Sequence, residues 1–136
     1  MSRETANSGG ALNDLSVLVV EDEAIVSLLV ESMLMDLGCD DVRYASSVDE
    51  AFELLDERTP DTAVLDVNLS GETVYPVARR LDDAGVPFVF ATGYGAGGLH
   101  EAWAGRPVLQ KPFRCDELGR ALATVLGAKS PTHVNR

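Results

Sequence analysis

Several features that would assign this chain to a particular class of protein are scarce or missing. It has only two cysteines, Cys39 and Cys115, without metal-ligand spacing, so neither a disulfide framework nor a zinc site is expected. No apolar run approaches the roughly 20 residues that a bilayer crossing requires, and no signal peptide precedes the first predicted strand. We therefore expect a cytoplasmic protein without a membrane partner.

Basic residues are also scarce, since 11 lysines and arginines stand against 22 aspartates and glutamates and the formal net charge is −11. This charge repels a phosphate backbone, so we expect no nucleic-acid partner. Hydrophobic residues nevertheless make up 46% of the 136 residues, which suffices for one domain with a buried core. We predict a flexible tail over residues 1–14, a folded domain over 15–127 and a flexible tail over 128–136.

Short apolar runs alternate with helical patterns along the chain. Strands are predicted at residues 17–20, 42–45, 62–66, 88–91 and 108–110. Pro76 is tolerated only in a first helical turn, so the third helix is expected to begin near Thr73. The alternation predicts an α/β fold with a doubly wound, five-stranded parallel sheet and helices on both faces. We adopt the common strand order 2-1-3-4-5 for this sheet.

The region that should hold the fourth helix is unusual. Four glycines fall between Gly93 and Gly98, and only Leu99 to Ala104 could support a brief helix. We therefore expect the fourth helix to be short or disordered.

Carboxylates stand where two neighbouring strands of this sheet end. Glu21 and Asp22 follow the first strand, and Asp66 ends the third, so the three acids should meet at one edge. Such acids repel each other unless a cation lies between them, and oxygen ligands suit Mg²⁺, with the backbone carbonyl of Asn68 completing the set. Two alternatives stay open: Asp66 caps the following turn, and the acids from Glu21 to Glu23 cap a helix.

Two further polar residues stand at the ends of the remaining strands of that edge. Thr92 follows the fourth strand and Lys111 follows the fifth. A carboxylate that attacks a phosphoryl group needs the transferred negative charge to be stabilised, and a lysine, a hydroxyl and a metal supply this. Lysines at strand ends are often solvated and threonines often satisfy turns, so the set carries the prediction that Asp66 is the reacting residue.

Over roughly Leu15 to Leu126 the chain resembles a response-regulator receiver domain. The matching motifs are the acidic pair Glu21-Asp22 after Val-Val, the strand-terminal Asp66, Thr92 after Phe-Ala, and Lys111-Pro112-Phe113. The resemblance implies that Asp66 accepts a phosphoryl group from a histidine kinase or phosphotransfer protein. It also implies a cis Lys111-Pro112 peptide bond.

The same resemblance implies the site's other roles. Mg²⁺ would be held by Glu21, Asp22 and Asp66, and the phosphoryl oxygens would be contacted by Thr92 and Lys111. The segment from Pro87 to Tyr94 further resembles the motif of the FAT-GUY single-domain receivers, which serve histidine kinases in alphaproteobacteria.

One position departs from the general receiver pattern, and two others correspond to positions that vary between receivers. Val108 replaces the usual Tyr or Phe switch residue, so we hypothesise that Tyr94 or the loop from Gly93 to Gly98 responds to phosphorylation instead. Asn68 and Tyr94 occupy the positions that tune the phosphoryl lifetime in related receivers.

The expected function is a phosphoacceptor switch rather than an enzyme, with at most slow Mg²⁺-dependent autophosphatase activity. It would take part in a two-component system or phosphorelay and signal through contacts with an unknown downstream protein. Two alternatives are a receiver-like binding module that is not phosphorylated and a small phosphatase. The phosphatase lacks support because Asn68 stands where its second acid is needed.

Overall fold

The computed structural model describes residues 12–94 and 98–134, with side chains up to residue 127. The strands of the main sheet are β1 (Ser16–Val20), β2 (Asp41–Ala45), β3 (Thr62–Asp66), β4 (Phe88–Thr92) and β5 (Val108–Gln110). The α-helices are α1 (Ala24–Asp36), α2 (Val48–Glu57), α3 (Tyr75–Asp83) and α4 (Cys115–Val134). A short hairpin pairs Asn68–Leu69 with Glu72–Thr73, and a 3₁₀ turn spans Glu101–Trp103.

The five strands are parallel and lie in the order β2-β1-β3-β4-β5, which confirms the predicted fold. Strands β1 and β3 are neighbours, with Val20 opposite Leu65. Strand β4 follows on the other side of β3, with Ala91 opposite Asp66. The strand ends that carry the predicted site residues therefore lie along one edge of the sheet.

Helices cover both faces of the sheet, as predicted. Alternate residues of β1 enter different clusters: Leu18 packs with residues of α2 and α3, and Val19 packs with residues of α1 and α4. The central strands are buried along their whole length, which explains why they read as continuous apolar runs. Within the described residues, no helix has the length and apolarity that a bilayer crossing requires.

The helix boundaries show where local sequence signals act. Gly38 has a φ of 97° just beyond α1, the left-handed conformation that glycine allows at the end of a helix. Helix α3 begins at Tyr75 rather than near Thr73, with Pro76 in its first turn. The predicted start was early because Thr73 pairs with Asn68 in the hairpin.

The described chain includes parts of both segments that were predicted as tails. The predicted N-terminal tail includes Leu12, but this side chain is buried, and its backbone N–H donates to the carbonyl oxygen of Leu37. The predicted C-terminal tail begins inside α4, which continues to Val134. Residues 1–11 and 135–136 lie outside the described residues, so the tails and domain boundaries stay predictions.

Between β4 and β5, where a short or disordered fourth helix was expected, the described residues include the 3₁₀ turn Glu101–Trp103. Trp103 is buried and lies edge-on to Phe88 and Phe90 of β4, with centroid separations of 6.1 and 5.7 Å. Its ring stacks on that of Tyr75 at an interplanar angle of 8°. An aromatic cluster therefore covers this part of the sheet. Residues 95–97, part of the predicted mobile loop, lie outside the described residues.

Candidate functional site

The carboxyl ends of four neighbouring strands deliver the predicted site residues to one place. Glu21 follows β1 directly, Asp66 is the last residue of β3, and Thr92 is the last residue of β4. Lys111 follows β5, and its backbone N–H donates to the carbonyl oxygen of Thr92 at 2.9 Å. The backbone is rigid at these points because each position is fixed by the strand ladder or directly follows it.

The acids and the lysine form a compact cluster. Ligand oxygens of Glu21, Asp22 and Asp66 all lie within 4.8 Å of one another. The Lys111 ammonium nitrogen lies 3.1 Å from Oε1 of Glu21 and 3.4 Å from Oδ2 of Asp66. Glu21 also accepts a hydrogen bond from the backbone N–H of Glu23 at 3.1 Å. Lys111 therefore contacts two of the three clustered carboxylates.

Burial and mutual repulsion change the protonation of the cluster. Burial, followed by the negative charge of Asp66, raises the pKa of Glu21 from 4.5 to about 7. Burial also raises the pKa of Asp66, although the charge of Lys111 acts in the opposite direction. Burial alone would lower the pKa of Lys111, but the carboxylates of Asp66 and Glu21 raise it above its ordinary value. The cluster thus holds more negative charge than its surroundings stabilise.

The donor set fits a divalent cation with oxygen ligands. A cleft of about 350 Å³ opens over the cluster, and its lining residues are Asp22, Glu23, Asp66, Asn68, Ser70, Thr92, Gly93 and Lys111. Mg²⁺ uses few protein oxygens and keeps several waters, so three close carboxylates beside an open cleft suit it. The excess negative charge and the raised pKa of Glu21 are the signs of a site that a cation would complete.

The helix-capping alternative for the acidic turn finds no support. Glu23 occupies the N-cap position of α1 but accepts no capping hydrogen bond with its side chain. The Asp22 carboxylate instead accepts a hydrogen bond from the hydroxyl of Ser70. The acids after β1 therefore face the cleft and the loop beyond β3.

Of the residues predicted to tune or switch the site, Asn68 lies in the cleft and Tyr94 is exposed to solvent. Asn68 begins the hairpin and lines the cleft. The Tyr94 side chain is 75% exposed, and its backbone N–H donates to Oγ1 of Thr92 at 3.2 Å. Tyr94 is thus linked to the site through its backbone. Val108 lies at the start of β5 and packs against the core rather than reaching the surface as a long aromatic side chain would.

Ser70 is a residue of this site that was not predicted from the sequence. Ser70 lines the cleft and bonds to Asp22, which is 48 positions away in the chain. The Ser-Gly pair after Asp66 indicated a turn, but the sequence did not indicate which residue the serine hydroxyl would contact.

An apolar surface adjoins the site on helix α1. Its exposed members are Ile25 (75%), Leu28 (63%), Leu29 (55%) and Met35 (60%). Leu28 lines a second cleft together with Glu21 and Asp22, so the apolar surface and the acids are continuous. Large exposed apolar side chains next to a reactive site are typical of a protein-docking surface.

Comparisons with known proteins agree with the fold and with the arrangement of the strand ends. The sequence pattern of the response regulator receiver domain matches residues 17–123. The solution structure of SdrG from Sphingomonas melonis Fr1 is 39% identical, with a TM-score of 0.74, over 82% of this chain and 96% of that one.

Two further relatives extend the similarity. The crystal structure of a response regulator receiver protein from Burkholderia phymatum is 32% identical, with a TM-score of 0.72, over 84% of this chain and 96% of that one. The sensory transduction protein LytT of Bacillus subtilis is 34% identical over 83 residues, which are 59% of this chain and 34% of LytT. The chain therefore spans about a third of the length of this curated relative.

Proposed function

The chain belongs to the response regulator receiver domain family, and from this premise we propose that it accepts a phosphoryl group on Asp66 from a histidine kinase or phosphotransfer protein. The proposed setting is a cytoplasmic two-component system or phosphorelay. The output is a change of protein contacts with a downstream partner. Membership of the FAT-GUY subgroup rests on the segment from Pro87 to Tyr94 and stays a prediction.

The observation that carries this proposal is the position of Asp66 relative to the positive and polar groups around it. Its carboxylate ends β3 at the cleft, 3.4 Å from the Lys111 ammonium. Thr92 ends the neighbouring strand and is one of the residues that line the same cleft. A nucleophile with a cation and a hydroxyl beside it, on rigid strand ends, suits attack on a phosphoryl group.

The proposed transfer is a single displacement at phosphorus. A carboxylate oxygen of Asp66 forms the new P–O bond while the P–N bond to the kinase histidine breaks. The electron pair of the P–N bond stays on the departing nitrogen, and because the other ring nitrogen carries a proton the imidazole leaves as a neutral group. Lys111 and Thr92 stabilise negative charge on the transferred oxygens. Bound Mg²⁺, held by Glu21, Asp22, Asp66 and the carbonyl of Asn68, would supply neutralising positive charge to these oxygens.

The apolar surface of α1 supports docking of a protein donor. We assign it to a helix of the kinase or phosphotransfer protein that carries the phosphohistidine, because this surface continues into the acidic cleft at Leu28. An exposed helix face is recognised by apolar anchors of a partner helix. The donor histidine would then be delivered beside the Asp66 carboxylate.

The test is the mass of the intact protein after incubation with acetyl phosphate, with and without Mg²⁺. We expect one added phosphoryl group on the wild type, only when Mg²⁺ is present, and none on Asp66→Asn. Asp83→Asn is the matched control, because Asp83 is an exposed aspartate at the end of α3. An adduct that persists in Asp66→Asn would refute the assignment. Absence of any adduct on the wild type would favour the non-phosphorylated binding module.

A further inference from the structure

Ser70 and Gly71 form the tip of the hairpin beyond the acceptor strand. Their φ angles are 47° and 97°, both in the left-handed region. Two such residues between paired strands are typical of a type I′ turn. Glycine adopts this conformation readily, whereas serine does so at a cost, so the serine at this position calls for a reason.

The hairpin is held against the rest of the domain on several sides. Leu69 is buried in the core beside β3, and Leu69 pairs with Glu72 across the turn. The Glu72 carboxylate accepts a hydrogen bond from the backbone N–H of Val48, the first residue of α2, at 3.2 Å. The backbone N–H of Val74 donates to the carbonyl oxygen of Val67 at 3.0 Å, which closes the loop at its base. The position of Ser70 is therefore fixed by packing and hydrogen bonds that do not involve the cleft.

The fixed turn aims the hydroxyl of Ser70 at the acids. This hydroxyl donates to Oδ2 of Asp22. Of the three clustered acids, Glu21 and Asp66 contact Lys111, while Asp22 is bonded by Ser70. A carboxylate with one oxygen held by a hydroxyl keeps its other oxygen for a cation, and its rotation is fixed.

We propose that Ser70 is a positioning residue for Mg²⁺, which orients the Asp22 carboxylate toward the cation through its hydroxyl. This inference rests on the proposed function, because it assumes that Asp22 is a ligand. Outer-sphere hydrogen bonds of this kind orient ligands before binding, and their removal typically costs about 10- to 100-fold in metal affinity. The left-handed backbone at Ser70 is then tolerated because it brings the hydroxyl to Asp22.

The experiment measures the dissociation constant of Mg²⁺ by calorimetry for the wild type and for Ser70→Ala, Ser70→Gly and Ser70→Asn. Alanine and glycine both remove the hydroxyl, but glycine favours the left-handed backbone and alanine opposes it. Asparagine tolerates this backbone and offers an amide donor. Each variant is also melted without metal, which reports the backbone effect separately from the effect on binding.

We expect Ser70→Ala and Ser70→Gly to weaken Mg²⁺ binding alike, by about tenfold or more, and Ser70→Asn to recover at least part of the loss. The rate of labelling by acetyl phosphate should fall in both hydroxyl-free variants at limiting Mg²⁺ and return to the wild-type value at saturating Mg²⁺. Wild-type affinity in Ser70→Gly would overturn the inference, since the backbone alone would then account for any loss in Ser70→Ala. Absence of Mg²⁺ binding by the wild type would instead refute the metal site of the proposed function.

Discussion

The acidic cluster should make the metal-free protein lose stability as the pH rises, and Glu21→Gln should remove the part of this loss that comes from Glu21. The pKa of Glu21 is about 7 in the folded chain, against 4.5 as its ordinary value. The folded state therefore binds this proton more tightly than the unfolded state does. Below about pH 4.5 the residue is protonated in both states and costs nothing. Between these two pKa values the free energy of unfolding falls as the pH rises, and above about pH 7 the loss caused by Glu21 has reached its full size.

The size of this effect follows from the pKa difference. A rise from 4.5 to about 7 corresponds to about 3 kcal/mol, at about 1.4 kcal/mol for each tenfold change in the acid dissociation constant. Glutamine keeps an acceptor for Lys111 but weakens the hydrogen bond from the Glu23 backbone, at a cost of about 1 kcal/mol. We therefore expect Glu21→Gln to be more stable than the wild type by about 2 kcal/mol near pH 8, or about 8 °C in melting temperature.

The assay is thermal and urea unfolding of both proteins between about pH 5 and pH 8 in the presence of a chelator. The control is Glu53→Gln, which removes an exposed acid of α2 and changes the net charge equally. Saturating Mg²⁺ should stabilise the wild type above pH 7 by about 3 kcal/mol at a hundredfold excess over the dissociation constant, and should not stabilise Glu21→Gln comparably. If stability changed with pH in parallel for the wild type and Glu21→Gln, the reasoning would be refuted, because the pKa of Glu21 would then not be raised in the folded state.

Three other predictions concern the docking surface, the aromatic cluster and the phosphoryl contacts. Leu28→Arg should slow transfer from a kinase about tenfold or more in radiolabelled transfer assays, and leave labelling by acetyl phosphate unchanged. Met35→Arg, farther along α1, should have a smaller effect, and equal slowing with both donors would contradict docking on α1. Trp103→Ala should lower the free energy of unfolding in urea by about 3–5 kcal/mol, because the ring packs on Phe90 and its neighbours. A loss below about 1 kcal/mol would show that the cluster does not support β4. Lys111→Met should slow adduct formation with acetyl phosphate about a hundredfold, and an unchanged rate would remove Lys111 from the transfer step.

Much of the fold could be predicted because its signals are local. Each central strand is an uninterrupted apolar run since both faces are covered, and Gly38 marks the end of α1 by its backbone conformation. The residues at the strand ends could be placed together once the strand order was adopted, because parallel strands deliver their carboxyl ends to one edge.

The features that could not be predicted depend on contacts between distant residues or on the backbone conformation that a glycine adopts in the folded chain. The bond from Ser70 to Asp22 spans 48 positions and has no local pattern. The start of α3 depends on the hairpin that pairs Asn68 with Thr73, and this hairpin carries the buried Leu69. Gly127 does not adopt the left-handed conformation seen at Gly38, and α4 continues through it to Val134.

The aromatic cluster between β4 and β5 has a practical consequence. The chain contains one tryptophan, and Trp103 is buried against Phe90, two residues before Thr92 on the same strand. The indole ring therefore lies against the strand that ends at Thr92. The tryptophan emission of the protein therefore comes from a single indole ring beside β4 and can be excited apart from the three tyrosines. Its emission can be followed in real time as ligands enter the cleft, without a dye or an attached label.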